Sequence, residues 1–191
     1  MSLYPEFTTP RLKFRQFNIN DDIEPVYQLF SDPETMRFDG GELMASRDEA
    51  RDLIQAFSSF QAPAVRWAVV LRENNQFLGS CGYHHIDHYN QKAELGGELI
   101  RQYWRLGFAR EGLFELLRFG FERMNFNRIE AWISPENRAA IRTIKCVPFQ
   151  EEGYLRQCQR WGNHFVDMKI YSLIRRDWDM FHEQIKFSEP L

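Results

Sequence analysis

Between Ala93 and Met124 the chain reads Ala-Glu-Leu-Gly-Gly-Glu-Leu-Ile-Arg-Gln-Tyr-Trp-Arg-Leu-Gly-Phe-Ala-Arg-Glu-Gly and then runs on as an apolar-periodic segment. The opening residues suit a strand. The middle is a basic turn that narrows to Gly107. From Phe108 onward, Ala109, Leu113, Leu116, Leu117, Gly120 and Met124 recur along one face of a long helix. Such a succession brings backbone N–H groups and the positive end of a helix to one spot, an arrangement that holds phosphate. Other elements have to be compatible with it.

Those other elements can be read in order. Arg11–Arg15 alternates strictly and reads as a strand with Leu12 and Phe14 inward. Asn20-Asp21-Asp22 opens a helix, its acidic first turn suiting the dipole, with Val26, Leu29 and Phe30 on its apolar face. Ser31-Asp32-Pro33 stops it. Ser46 with Glu49 forms a capping box for a second helix bearing Ala50, Leu53, Ile54 and Phe57, with Pro63 after it. Arg66–Arg72 and Phe77–Ile86 read as strands joined by Glu73-Asn74-Asn75-Gln76. Ala93–Leu99 and Arg128–Ile133 are further strands on either side of the long helix. Asn137 caps a short helix to about Lys145, and Pro148 ends it. Glu151–Gln159 and Phe165–Leu173 form a hairpin around Trp161-Gly162-Asn163, and Arg176–Phe187 is a closing helix with Trp178, Phe181 and Ile185 on one side. The order, β-α-α-β-β-β-α-β-α-β-β plus a helix, predicts an α+β fold with a mixed sheet, not a doubly wound one. With no linker or repeat, a single domain over residues 1–191 is expected.

Composition narrows the function classes. At 191 residues and 43% hydrophobic, with 15% aromatic, the chain can bury a sizeable core and still line an apolar groove. A net charge of -3 argues against a nucleic-acid partner, yet Lys and Arg crowd between Arg101 and Arg160, which suits a small anionic ligand. Cys81, Cys146 and Cys158 have no paired-spacing motif, so they read as reduced thiols of a cytoplasmic protein. No secretory pattern opens the chain, and no apolar run approaches the roughly 20 residues of a membrane span, so no membrane partner is expected.

Several segments resemble the GNAT superfamily of N-acetyltransferases, most closely the branch that acetylates the N-terminal alanine of ribosomal proteins. Thr9-Pro10-Arg11-Leu12 is similar to that branch's Thr-x-Arg-Leu. Ser31-Asp32-Pro33-Glu34-Thr35-Met36 resembles Asp-Pro-Glu-Val-Met, and Ala93-Glu94-Leu95-Gly96 resembles Ala-Glu-Ile-Gly. Tyr103-Trp104-Arg105-Leu106-Gly107-Phe108-Ala109 is similar to Tyr-Trp-Gly-Lys-Gly-Tyr-Ala. Asn127-Arg128-Ile129-Glu130-Ala131, Pro135-Glu136-Asn137, Tyr171-Ser172-Leu173 and Arg176-Asp177-Trp178 complete the likeness. Each segment alone is weak; in this order, with these gaps, they are specific. The resemblance implies a GNAT fold whose mostly antiparallel sheet splays between its fourth and fifth strands, Ala93–Leu99 and Arg128–Ile133, and is flanked by helices. It also implies acetyl-CoA as co-substrate, with no metal, and a primary amine as acceptor. Leu99, Ile100 and Arg101 would lie along the pantetheine arm. Arg105, Leu106, Gly107, Phe108, Ala109 and Arg110 would hold the pyrophosphate, and Asn137 would reach the pantetheine or thioester. Arg142 and Lys145 would assist with phosphates.

The chemistry asks for a neutral amine, a polarised thioester carbonyl and a route for protons. Glu94 is the first candidate base, acting through water, and His85 or His84 could line the amine pocket and share that duty. Along a regular strand His84 and His88 point one way and His85 the other, so these histidines cannot together ligate one metal ion. Phe38, Trp67 and Tyr83 could border the acceptor pocket. The branch's Ser is replaced by Ala140, the Tyr of other members by Ile144, and the Gly of a Gly-Phe pair by Pro148. Neither usual thiolate acid is therefore present; Thr143 and Cys146 are substitutes of mainly structural character. A thiol pKa near 8.5 lets the thiolate leave without a dedicated acid. An α-amine with a pKa of about 7.7–8.0 needs less help than a lysine amine near 10.4. The expected activity is direct acetyl transfer in a ternary complex, first to a protein N-terminal α-amine. A polyamine or aminoglycoside acceptor, or a non-catalytic acyl-CoA-binding module, is the alternative. A homodimer is compatible with the resemblance.

Overall fold

The computed structural model describes residues 5–58 and 64–188. Pro63 and the side chain of Ile185 lie outside the described residues. The strands are β1 (Phe7–Thr8), β2 (Leu12–Arg15), β3 (Val65–Leu71), β4 (Phe77–Asp87), β5 (Lys92–Leu99), β6 (Arg128–Ile133), β7 (Gln150–Trp161) and β8 (His164–Ile174). The helices are α1 (Ile23–Ser31), α2 (Pro33–Met36), α3 (Arg47–Ser58), α4 (Phe108–Glu122), α5 (Arg138–Ile144) and α6 (Arg175–Ser188).

The strands form one sheet in the order β1-β2-β3-β4-β5-β6-β8-β7. Neighbours are antiparallel throughout except β5 and β6, which run parallel because α4 carries the chain back across one face. The α+β mixed sheet expected from the element order is therefore present. β1 was not anticipated. Its Phe7 pairs across from Phe14, and the rings stack at 4.5 Å; on the other side Phe7 stacks on Phe119 of α4 at 4.7 Å. A two-residue strand has almost no periodicity to read.

Strand β3 shows why both sheet faces are covered. Its alternating residues divide between two clusters: Val65, Trp67 and Val69 pack with α4 and with Trp178 of α6, whereas Ala68 and Val70 pack with Val26, Leu29, Ala50 and Ile54 of α1 and α3. Six consecutive residues of β3 are accordingly buried. Trp67 and Tyr83, expected as possible pocket aromatics, are fully buried in the first cluster. Tyr83 donates its hydroxyl to the Leu116 carbonyl at 2.5 Å, so it ties β4 to α4 instead of facing a ligand. Phe38 is half-buried beneath the Arg37 guanidinium at 5.1 Å.

Two helix starts show how tertiary partners redirect local signals. Ser46 and Glu49 make the expected reciprocal cap, with the Glu49 N–H donating to Ser46 Oγ at 3.3 Å. The Glu49 carboxylate reaches one residue further back than in the standard box and accepts from the Ala45 N–H at 2.9 Å. Asp22, expected to serve the α1 dipole, makes no side-chain cap. It is buried as the partner of Arg15 at 2.6 Å and accepts from the Asn18 N–H at 2.7 Å, joining β2 to α1. No helix among the described residues is long and apolar enough to cross a membrane.

Candidate functional site

The site begins where the sheet comes apart. β5 and β6 are paired only at Lys92↔Arg128, Ala93↔Ile129 and Glu94↔Glu130. Beyond Glu94, β5 stays with β4, through Leu95↔Tyr83 to Leu99↔Gly79, while β6 follows β8 to Ile133. The splay anticipated between Ala93–Leu99 and Arg128–Ile133 is thus in the register. Its wedge exposes one backbone edge of Leu95–Leu99, which can pair with an extended, amide-bearing ligand as a missing strand would. Two sequence candidates are partly engaged there. The Leu99 carbonyl accepts from Trp104 Nε1 at 2.7 Å, and the Ile100 N–H donates to the Leu78 carbonyl at 2.8 Å.

Past β5 the chain makes a 3-10 turn at Arg101–Tyr103, then bends through Arg105 (φ 64°) and Gly107 (φ 82°) into α4. Gly107 is the N-cap and offers no side chain to the helix. The amides of Phe108, Ala109 and Arg110 precede the first intrahelical bond, from the Glu111 N–H to the Gly107 carbonyl at 3.1 Å, so they are free for an anion. Arg101, Arg105, Leu106 and Arg110 are exposed around them. A groove of about 770 Å³ leads away from Gly107 and Arg110 along the outer face of α4 toward Phe114 and Cys146.

Arg11 braces this turn, and sequence reasoning missed that role. Its guanidinium binds Glu111 at 2.6 Å and the Leu106 carbonyl at 3.0 Å, and lies 4.5 Å from the centre of the Phe108 ring. Thr9 Oγ1 adds a bond to Glu111 at 2.5 Å. Partial burial pushes the Glu111 carboxyl up, but its bonds to Thr9 and Arg11 outweigh that and hold it below its ordinary value. A Cβ on Gly107 would come within 3.3 Å of the Arg11 guanidinium.

At the other end of the wedge stand Glu94 and His85. Glu94 lies opposite His84 in the ladder, so simple alternation would leave His85 on the far face. Instead the register shifts between His84 and Asp87, and His85 takes φ 48°. That bulge turns the His85 ring back, placing Nδ1 at 3.0 Å from Glu94 Oε2. The expected alternation of the three histidines is therefore corrected. The Glu94 side chain is 21% exposed and that of His85 81%, so the imidazole connects the carboxylate to solvent. Burial raises the Glu94 pKa above its ordinary value, the His85 contact opposes that shift, and Glu130 across the parallel pair adds to it. His84 is different: its Nε2 accepts from Arg66 at 3.1 Å, and burial beside that guanidinium pushes its pKa down to about 4. It is neutral at pH 7 and is a hydrogen-bond partner, not a proton carrier. His88 is exposed, and no group of three metal-ligating side chains gathers among the described residues.

The short helix offers little acid chemistry. Asn137 caps α5, its carboxamide oxygen accepting from the Ala140 N–H at 3.0 Å, which leaves its amide nitrogen as the donor for a ligand. Ile144 is buried in the core, the Thr143 hydroxyl donates to the Ala139 carbonyl at 3.0 Å, and Cys146 is exposed with its thiol toward the Arg142 carbonyl at 3.5 Å. A second polar group escaped the sequence reading. Arg66 of β3 pairs with Glu98 of β5 and donates to Ser80 Oγ at 3.0 Å, and Ser80 donates to Glu98 at 3.0 Å. Their positions on three strands give no local signal; an Arg inside an otherwise apolar strand was the only hint.

Family and structure comparisons agree with this geometry. The family model of the acetyltransferase (GNAT) domain matches residues 11–150. An uncharacterised N-acetyltransferase, p20, from Bacillus licheniformis is 34% identical over 89% of this chain and 96% of its own length. YoaA of Bacillus subtilis, also an uncharacterised N-acetyltransferase, is 31% identical over 91% of this chain and 98% of its own. The crystal structure of spermidine N-acetyltransferase from Vibrio cholerae, in complex with CoA and spermine, superposes with a TM-score of 0.79 at 20% identity, over 89% of this chain and 99% of that one, a likeness of fold. With a splayed parallel pair, an open helix N-terminus beside it and a family match over most of its length, the chain belongs to the GNAT family of acetyl-CoA-dependent N-acetyltransferases.

Proposed function

We propose that this enzyme transfers the acetyl group of acetyl-CoA directly to a protein N-terminal α-amine. The observation that carries the proposal is the Glu94–His85 pair at the mouth of the wedge, 3.0 Å apart and open to solvent through the imidazole. A station of that kind is a modest base, and an amine with a pKa of about 7.7–8.0 is already partly neutral at working pH. The segments shared with the ribosomal-protein branch point the same way.

In this reading the free amides of Phe108, Ala109 and Arg110, with Arg101 and Arg105 nearby, take the pyrophosphate, and Gly107 allows its close approach. Leu99, Ile100 and Arg101 run beside the pantetheine arm, and the Asn137 amide nitrogen reaches toward it. The amine attacks the thioester carbonyl carbon, the C–S bond breaks, and coenzyme A leaves as a thiolate. Glu94, relayed by His85, takes a proton from the nitrogen. No side chain of α5 is needed as acid, because the leaving thiol is intrinsically acidic. A second reading, a polyamine acceptor, is favoured by one observation: Glu94, Glu98 and Glu130 concentrate carboxylates around the wedge.

Steady-state turnover of an alanine-initiated peptide and of spermidine, with acetyl-CoA binding followed by calorimetry, separates the readings. The peptide should give the higher kcat/KM. A preference for spermidine would transfer the assignment to the second reading, and tight acetyl-CoA binding with turnover of neither would sink both acceptors. Glu94→Gln should lower kcat by about 100-fold near pH 7 and flatten its rise with pH; unchanged turnover across pH would remove Glu94 from the role.

A further inference from the structure

Acetylating an ammonium ion removes two protons from one nitrogen, and a single solvent-linked carboxylate accounts for one of them. The second carboxylate of the wedge is Glu98. It shares a face of β5 with Glu94, and the two flank Gly96, each about 7 Å away along the strand. Glu98 is only 9% exposed at its side chain and is anchored from below by Arg66 and Ser80. Beside it comes the Asp39 carboxyl, from the loop between α2 and α3, close enough to feel both Glu98 and Arg66. A carboxylate beside a second one binds a proton more readily than it would alone.

The loop that carries Asp39 is gripped from several sides. The Asp39 N–H donates to the Met36 carbonyl at 3.0 Å, and the Met44 N–H donates to the Phe30 carbonyl at 3.0 Å. Gly40, at φ 77°, lies so close under the Trp161 indole that a Cβ would fall 2.1 Å from Nε1. Trp161 closes β7, so the far hairpin clamps the loop against the sheet. Asp39 as a residue is exposed while its carboxyl is crowded by protein, and Glu98 is not exposed, so of the two Asp39 is the one that can exchange protons with water.

We infer that Asp39, paired with Glu98, is the residue that receives the first proton from the incoming ammonium of the acceptor. This rests on the acetyl-transfer reading above and divides its proton traffic. The ammonium N–H proton passes to the Asp39 carboxylate, leaving a neutral amine and a neutral acid that loses its proton to water. The amine lone pair forms the C–N bond and the C–S electrons leave with the thiolate. Glu94 takes the second proton from the acylated nitrogen, and the thiolate is protonated from solvent. The sum is amide, thiol and one released proton.

The charged groups that act on Asp39 are Glu98 of β5 and Arg66 of β3, with His84 of β4 on the far side of Arg66 as its hydrogen-bond partner; the hairpin brings the uncharged Trp161 against the neighbouring Gly40. Burial and Glu98 push the Asp39 carboxyl up to about 7, against the pull of Arg66. A base so placed is poised near working pH.

The test compares wild type, Asp39→Asn, Asp39→Glu and Glu94→Gln on the alanine-initiated peptide and on spermidine from about pH 6 to 10. Asp39→Asn should lose about 100-fold in kcat/KM near pH 7 with acetyl-CoA affinity unchanged. Its deficit should shrink as pH passes the acceptor's own pKa, near 8 for the peptide and about two units higher for spermidine. Asp39→Glu should recover most of the rate. A wild-type profile in Asp39→Asn, or a deficit equal at every pH, overturns the assignment and leaves the transfer reading intact. If wild type turns over neither amine, the acceptor reading has failed, and 13C NMR of the aspartate carboxyls in the full chain decides the pair. An Asp39 signal titrating near 7 that falls in Glu98→Gln supports it, and one titrating with ordinary aspartates near 3.9 overturns it.

Discussion

Asp39 also carries a stability consequence. An unfolded aspartate titrates near 3.9, whereas burial and Glu98 hold the folded group up to about 7. Between those values the native state keeps a proton that the unfolded chain has lost. The group's contribution is therefore full below about pH 4 and is lost as pH climbs through 7. The urea midpoint of wild type should fall between pH 5 and pH 8, and Asp39→Asn should flatten that fall; equal slopes would contradict the placement. The cysteines give a second check at this scale. Burial pushes the Cys81 thiol up to about 12, while Cys146 and Cys158 are exposed. Iodoacetamide near pH 8, read by peptide mass spectrometry, should alkylate the two exposed thiols rapidly and spare Cys81 until the chain is unfolded. Neither property was legible in sequence, because each depends on what lies across the sheet. Glu94 and His85 were both candidates by residue type and strand position. Their meeting was not legible: only the bulge at His85 overrides the alternation that would have separated them.

Among the elements, the turn into α4 was the most readable and β1 the least. Gly107 announced the turn by its type, and at φ 82° it does what that type allows. Gly107→Ala should cost more than about 1 kcal/mol in stability, since Ala resists positive φ, and should weaken acetyl-CoA at least tenfold by calorimetry as the first amides shift. An unchanged affinity would place the pyrophosphate elsewhere. Arg11 could not have been found this way. Its bonds to Leu106 and Glu111 cross about a hundred residues of chain, and the match of Thr9-Pro10-Arg11-Leu12 to Thr-x-Arg-Leu says nothing of what Arg11 touches. Within α5, Asn137 was readable as a cap, and the cap bond to the Ala140 N–H orients its carboxamide.

For the whole molecule, the decisive feature is a sheet with helices on both faces and one wedge in it. α6 seals the α4 face with Trp178, which is 1% exposed and stacks on Phe121 at 5.6 Å. Trp178→Ala should destabilise the protein by about 3–5 kcal/mol by urea unfolding. A loss below about 1 kcal/mol would mean that α6 does not complete the core. Periodicity, caps and breakers along the chain were enough to determine the order of the elements other than β1 and α2, the α+β class, the turn into α4 and the family likeness, because those signals act within a few residues. The tertiary structure alone decided that Glu94 is where β5 parts from β6, that a bulge brings His85 to Glu94, and that Asp39 comes beside Glu98 and Arg66. Each of those depends on groups brought together from distant strands and loops, where burial and neighbouring charge, not local propensity, set the chemistry.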